Sequence, residues 1–233
     1  MSQILLIDNY PRGFNTDRIV RIQEIVNGLN AEINLKIFHY SQLKYEVLEK
    51  SNGVIISGSS HNVSSFYYNQ KLKKKFLPQI NFILNSYGVP ILAICFGHHL
   101  VSYAYGAQIS RMRIPDSGGK IIFLKFSRTD DLIKKKDIPV DTHHLDFVSP
   151  NDCEIQKNFE IISTSNIVGY KIIQYMKHFE KPIFSLQFHP ETHNPQFYCL
   201  NLSNERVITK TMSIGREIIK NFICFCLNNL DLL

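Results

Sequence analysis

Pro90-Ile91-Leu92-Ala93-Ile94-Cys95-Phe96-Gly97-His98-His99-Leu100 decides how the rest of the chain is read. An apolar run leads without a break into a cysteine, and a glycine two positions later opens a helical pattern that reaches Tyr105. Unbroken apolar runs belong to strands buried on both faces, as in parallel sheets. A strand that turns through one residue into a helix is the layout of a nucleophile elbow, which lifts a side chain out of the sheet on a strained backbone. Small residues two positions before and after the turn, Ala93 and Gly97, leave room for it. The elbow sets Cys95 at a helix N-terminus, where peptide dipoles favour a thiolate.

The flanking sequence supports an open, mostly parallel α/β sheet with helices on both faces, a flavodoxin-like layout. Ile4 to Asp8 reads as a first buried strand. After Asp17, a candidate N-cap, Ile19, Val20, Ile22, Ile25, Val26 and Leu29 recur at helical spacing. Leu35 to His39 and Gly53 to Gly58 read as strands, Ser41 to Lys50 as a short helix, and Tyr67 to Leu84 as a helix that Pro78 breaks or kinks. The second half differs. Gly119–Phe126, Phe159–Ser165, Gly169–Met176 and Pro182–Phe188 follow one another as strands, which predicts antiparallel or mixed additions. An amphipathic helix from about Val207 to Leu227 comes last. With no repeat and no Pro- or Gly-rich linker, residues 1–233 are expected to form a single domain.

Composition excludes several functions. The 44% hydrophobic and 20% charged residues are ordinary for a globular protein, and no run approaches a membrane span. Met1-Ser2-Gln3 lacks the basic start of a signal peptide, so the expected location is cytoplasmic, without a membrane partner. Five cysteines, scattered and without a C-x-x-C pair, fit neither a disulfide framework nor a zinc site; Cys224 and Cys226, in an apolar segment, read as buried thiols. A net charge of +6 raises nucleic acid as a partner, but the basic runs at Lys73 to Lys75 and Lys134 to Lys136 lack interleaved aromatics and read as solvated faces. No cofactor is expected. Histidines 98, 99, 143, 144, 189 and 193 could gather in one pocket, yet no metal-ligand spacing joins them, so no metal is expected either.

A thiolate nucleophile needs a base. Ser185-Leu-Gln-Phe-His189-Pro190-Glu191 offers one: a strand-like run leads to His189, and Pro190 ends it. Glu191 is close enough in sequence to reach back to the same imidazole and fix its tautomer. Cys95, His189 and Glu191 are therefore the candidate catalytic residues.

These residues resemble the class I glutamine amidotransferase family, whose hallmark is a G-x-C-x-G-H-Q elbow followed late in the chain by H-P-E. Ala93-Ile-Cys95-Phe-Gly97-His98-His99 and His189-Pro190-Glu191 occupy those places. The resemblance implies a Cys-His-Glu triad that cleaves a γ-glutamyl amide through a glutamyl thioester, acting on glutamine or another γ-glutamyl compound. It implies that Ile56-Ser57-Gly58-Ser59-Ser60 is the oxyanion strand, so that the backbone N–H groups at Ser59 and Phe96 hold the oxyanion and Gly58 lies against the substrate. It also implies that Thr142-His143-His144-Leu145-Asp146 is the stretch holding the substrate's α-amino and carboxylate end. Two departures stand out. Leu145 replaces a glycine, and His99 replaces the Gln that contacts the γ-glutamyl group; an imidazole cannot copy both ends of an amide.

No synthetase segment follows the last helix of this sequence. The resemblance therefore leaves two enzyme readings: a self-contained hydrolase or transferase of γ-glutamyl compounds, or a glutaminase subunit, like that of GMP synthetase, feeding ammonia to a separate synthetase chain. His99 and the extra sequence at Arg128–Ile138 and Asn194–Arg206 tilt the expectation toward the first. A binding or regulatory protein that kept the fold without the activity is the third reading.

Overall fold

A computed structural model describes residues 2–11, 17–29, 33–113, 120–192 and 205–228. Its main sheet has seven strands: β1 (Ser2–Asp8), β2 (Ile33–His39), β3 (Gly53–Ile56), β4 (Ile91–Ile94), β9 (Phe159–Ile167), β10 (Tyr170–His178) and β11 (Ile183–Leu186). Their order is β2-β1-β3-β4-β11-β10-β9. The first five in that order pair in parallel; β10 and β9 continue the edge antiparallel.

The apolar runs are continuous because both faces of these strands are covered. Ile4, Leu6, Ile55, Leu92 and Ile94 face one core with Ile22 and Ile25 of α1 (Asp17–Asn27) and Ile218, Ile219 and Phe222 of a last helix, α6 (Glu205–Asn228). Their neighbours Leu5, Ile7, Val54, Ile56, Ile91 and Ala93 face a second core. That one is closed by Leu48 of α2 (Tyr45–Glu49), Phe76 and Ile83 of α3 (Gln70–Asn85), and Leu100 and Val101 of α4 (Phe96–Ala104). At about 2 kcal/mol per fully buried aliphatic side chain, this two-faced burial outweighs local propensity.

Pro78 neither breaks nor ends α3. Its ring removes a hydrogen bond to the carbonyl of Lys74, a residue exposed on the helix surface, where water can satisfy that oxygen. The pair of terminal cysteines also departs from expectation: Cys226 is buried, but Cys224 is exposed. Two positions along a helix turn a side chain by about 200°, so both cannot face one core.

Four elements were not foreseen. β5 (Ile109–Arg111) pairs with β8 (Asp146–Val148), β6 (Lys120–Lys125) pairs with β7 (Asp137–Thr142), both antiparallel, and α5 (Cys153–Asn158) is capped by the Asp152 side chain. β5, β7 and β8 are the new strands. β7 reads Asp-Ile-Pro-Val-Asp-Thr, whose strand formers Ile138, Val140 and Thr142 alternate with two aspartates and a proline. Pro139 is tolerated because a two-stranded ladder is all edge. The end of β7 also makes one bridge to His189, whose N–H donates to the Asp141 carbonyl at 2.8 Å. No described helix is long and apolar enough to cross a membrane.

Candidate active site

Cys95 stands between β4 and α4 with φ 51° and ψ −97°. A positive φ on a residue with a side chain costs on the order of 1–2 kcal/mol, and neighbouring contacts hold it there. Its N–H donates to the Leu186 carbonyl on β11 (2.7 Å), and its carbonyl accepts from the N–H of His99 (3.1 Å). Gly97 permits the turn, since a methyl there would lie 2.6 Å from the Ile56 carbonyl oxygen of β3. The thiol points toward the carbonyl of His143 at 3.6 Å.

His189 lies three residues past β11, the neighbour of β4, so it stands at the same strand ends. It is buried, and its Nδ1 meets Oε1 of Glu191 at 2.7 Å. The Cys95 sulfur is among the groups that act on the proton affinity of this ring. Burial and the Arg18 charge both push the imidazole pKa down, but the Cys95 and Glu191 charges and the Cys95 contact outweigh them and raise it to about 9. Glu191 is the mirror case. Burial would raise its pKa, yet the His189 ring and Arg18 hold it below the usual carboxylate value.

Gly58 lies beneath the imidazole. A methyl on it would sit 2.9 Å from Cε1 of His189 and 3.0 Å from the Tyr10 hydroxyl. Gly58 thus makes space for the ring of the candidate base. Ser59 is half-buried with negative φ, since Cys95, Val168 and Thr192 are the described non-glycine residues with positive values. Its hydroxyl donates to the Asn9 carbonyl at 2.6 Å and accepts from the His61 N–H at 2.9 Å, pinning the loop. Asn9 in turn holds Ser57, through its N–H to Ser57 Oγ (3.0 Å) and its amide to the Ser57 carbonyl (3.2 Å). Phe96 opens α4, where first-turn N–H groups have no intrahelical partner.

The histidines divide sharply. His98 is fully buried and bonds Ser185 Oγ at 2.8 Å; burial pushes its pKa well below the usual value. His99 is buried with Nε2 2.7 Å from Gln187 Oε1, and burial lowers its pKa too. His144 is buried, bonds the Asp146 carbonyl at 3.0 Å, and is driven by burial to about 3. All three rings are neutral at working pH. His143 is exposed, and only its carbonyl approaches the thiol; the Leu145 carbonyl accepts from Met112 N–H at 2.9 Å. Asp146 anchors this loop by accepting from the N–H and hydroxyl of Ser64 at 2.8 and 2.7 Å. His193 falls outside the described residues. Among those described, no group of three or more His, Cys, Asp or Glu side chains could hold a metal ion.

Sequence reasoning missed Arg18. It is buried on α1, with Nη2 3.2 Å from Asp141 Oδ2 and Nη1 3.5 Å from Glu191 Oε1. A signal existed: Arg18, Ile22 and Ile25 share one helical face, so the arginine starts an apolar stripe. It also missed Tyr10, whose hydroxyl stays protonated because burial raises its pKa.

The family model for glutamine amidotransferase class-I matches residues 20–205. A glutamine-hydrolyzing GMP synthase subunit of Methanococcus aeolicus is 34% identical over 149 residues, 63% of this chain and 65% of that one. The corresponding Thermoplasma volcanium protein is 25% identical over 77% of this chain and 73% of its own. The chain spans a little under two thirds of the length of the first curated relatives it matches. Among solved structures, a glutamine amidotransferase from Thermotoga maritima superposes with a TM-score of 0.68 at 16% identity, covering 97% of this chain and 98% of that one. The strand order, the elbow and a family match over most of the length agree, and this chain belongs to the class I glutamine amidotransferase family.

Proposed function

We propose that the chain hydrolyses the side-chain amide of glutamine through a glutamyl thioester and releases ammonia to a separate synthetase chain. The observation that carries this reading is the buried His189 ring, held by Glu191 through Nδ1 and raised in proton affinity by the Cys95 and Glu191 charges. The Cys95 thiolate attacks the amide carbonyl, and the oxyanion is met by the N–H groups at Phe96 and Ser59. The imidazolium gives its proton to the departing amine, so ammonia leaves and the thioester remains. His189 then takes a proton from water, whose oxygen displaces the sulfur and frees glutamate. The loop from His143 to Leu145 holds the α-amino and carboxylate end through its backbone. Relatives that are glutamine-hydrolyzing GMP synthase subunits support the ammonia-donor role.

His99 favours a second reading, a hydrolase of γ-glutamyl compounds acting alone. Its Nε2 is already bonded to Gln187, so the pocket offers the γ-glutamyl group less than an amide would. Ammonia release from glutamine and amine release from γ-glutamyl dipeptides, each beside a Cys95→Ser control, separates the two by which substrate turns over faster. Absence of turnover, together with failure of 6-diazo-5-oxonorleucine to label Cys95, would defeat both.

The raised His189 pKa sets a pH expectation. The imidazolium that protonates the leaving amine persists until pH passes about 9, so kcat/KM should fall on the alkaline side around that value. A pH–rate profile with an alkaline limb near pH 7 would contradict the pairing of His189 with Cys95.

A further inference from the structure

We infer that Arg18 is a positioning residue of the triad, its guanidinium joining Glu191 to Asp141 so that both the side chain and the backbone of His189 are fixed by one buried ion network. This rests on the reading of Cys95, His189 and Glu191 as the triad.

The geometry runs in a closed circuit. Arg18 contacts Glu191 Oε1, the same oxygen that holds His189 Nδ1. Its other nitrogen contacts Asp141 Oδ2, and the Asp141 carbonyl accepts the His189 backbone N–H. One residue of α1 thereby ties together β7 and the segment after β11, elements far apart in sequence. Arg18, Asp141 and Glu191 are all at most 5% exposed. Charges so enclosed are screened little by solvent; Arg18 and Glu191 act on the proton affinity of the imidazole, and the Asp141 carboxylate, paired with Arg18, offsets that cation.

The other titratable groups facing His189 do not obscure this effect. Tyr10, on the loop after β1, stays neutral as a phenol, while His99 on α4 and His144 on the loop after β7 stay neutral as imidazoles. Among the described residues, the buried charges joined around His189 are then Arg18, Asp141 and Glu191. Arg18 disfavours the imidazolium and favours the thiolate; the two carboxylates do the reverse. Packing alone does not predict opposite pH effects from removing Arg18 and removing Asp141, but charge does.

The test measures alkylation of Cys95 by iodoacetamide against pH, followed at the Cys95 peptide by mass spectrometry, beside the pH profile of kcat/KM. Arg18→Met removes a cation and should move both limbs of each profile toward higher pH by about one pH unit. Asp141→Asn removes an anion, retains an acceptor for Arg18, and should move the limbs toward lower pH. Arg18→Lys keeps the charge without the two-ended reach; it should restore the pH profile while kcat stays several-fold low. Shifts in the same direction for Arg18→Met and Asp141→Asn, or no shift in either, would overturn the inference. If Arg18→Met does not fold, Arg18→Lys and Asp141→Asn still decide the matter. The alkylation profile needs no substrate, so a wild-type protein without turnover would count against the proposed function and leave the Arg18 result readable.

Discussion

Replacing His189 with Asn should lower kcat/KM for the amide substrate by roughly ten-thousand-fold, an effect of the size expected when a triad member is lost. Asn keeps a polar planar side chain of similar breadth, so the ring's neighbours Gly58 and Glu191 are disturbed little. What disappears is the group proposed to share a proton with the sulfur. Two readouts should change together: turnover, and the rate at which Cys95 is alkylated at neutral pH. Circular dichroism and melting temperature should stay close to the parent. If turnover survives within tenfold, another group deprotonates Cys95, and the triad assignment is wrong. His99 and His144 are the nearest alternatives, but burial holds both in the neutral form with lowered proton affinity. A weak base in that state cannot sustain a thiolate at pH 7.

Gly215→Ala should produce the second large effect, through the segment that carries the site. A methyl at this position in α6 would lie 1.8 Å from the Pro190 carbonyl oxygen and 2.8 Å from its carbon. Neither contact can be relieved by turning a side chain, because both atoms belong to the backbone. Alanine in a helix interior normally stabilises by about 1 kcal/mol over glycine. Overpacking against fixed atoms costs about 1–3 kcal/mol or more, and here it wins. Net destabilisation of about 2 kcal/mol should lower the melting temperature by about 4–8 °C for a chain of this size. The residue that must yield stands between His189 and Glu191, so kcat should drop as well, even well below the melting transition. An unchanged melting temperature would mean that α6 does not press on Pro190 as described.

Much of this could be read from the sequence, for identifiable reasons. The buried strands were legible because two-faced burial leaves unbroken apolar runs, and the elbow because a strand, a cysteine and a glycine must adjoin for that turn to form. The spacing of His189 and Glu191 was legible because the acid reaches the ring over two residues. Other features left little trace. β7 contains Pro139 and two aspartates, so its pairing depends on β6 and not on its own propensity. That Gly58 also clears space for an imidazole from far later in the chain left no trace in the sequence around it. Asp141 was invisible because its role lies in its carbonyl and in an arginine on a distant helix. Contacts of that kind follow from topology, and one sequence does not display them.

The bridge between Asp141 and His189 carries one more consequence. The segment bearing His189 leaves β11 in the middle of the main sheet, yet the backbone of that residue is tethered to a two-stranded hairpin outside it. β7 is buried against the core, but its partner β6 is largely open to solvent and the ladder has no third strand, so the hairpin is expected to open before the seven-stranded sheet. Brief loosening of β6 and β7 would release the imidazole from one of its two anchors while every strand of the main sheet stayed paired. Heat or mild denaturant would then silence the site before the protein unfolds, and amide exchange at His189 would keep time with the hairpin and not with β11.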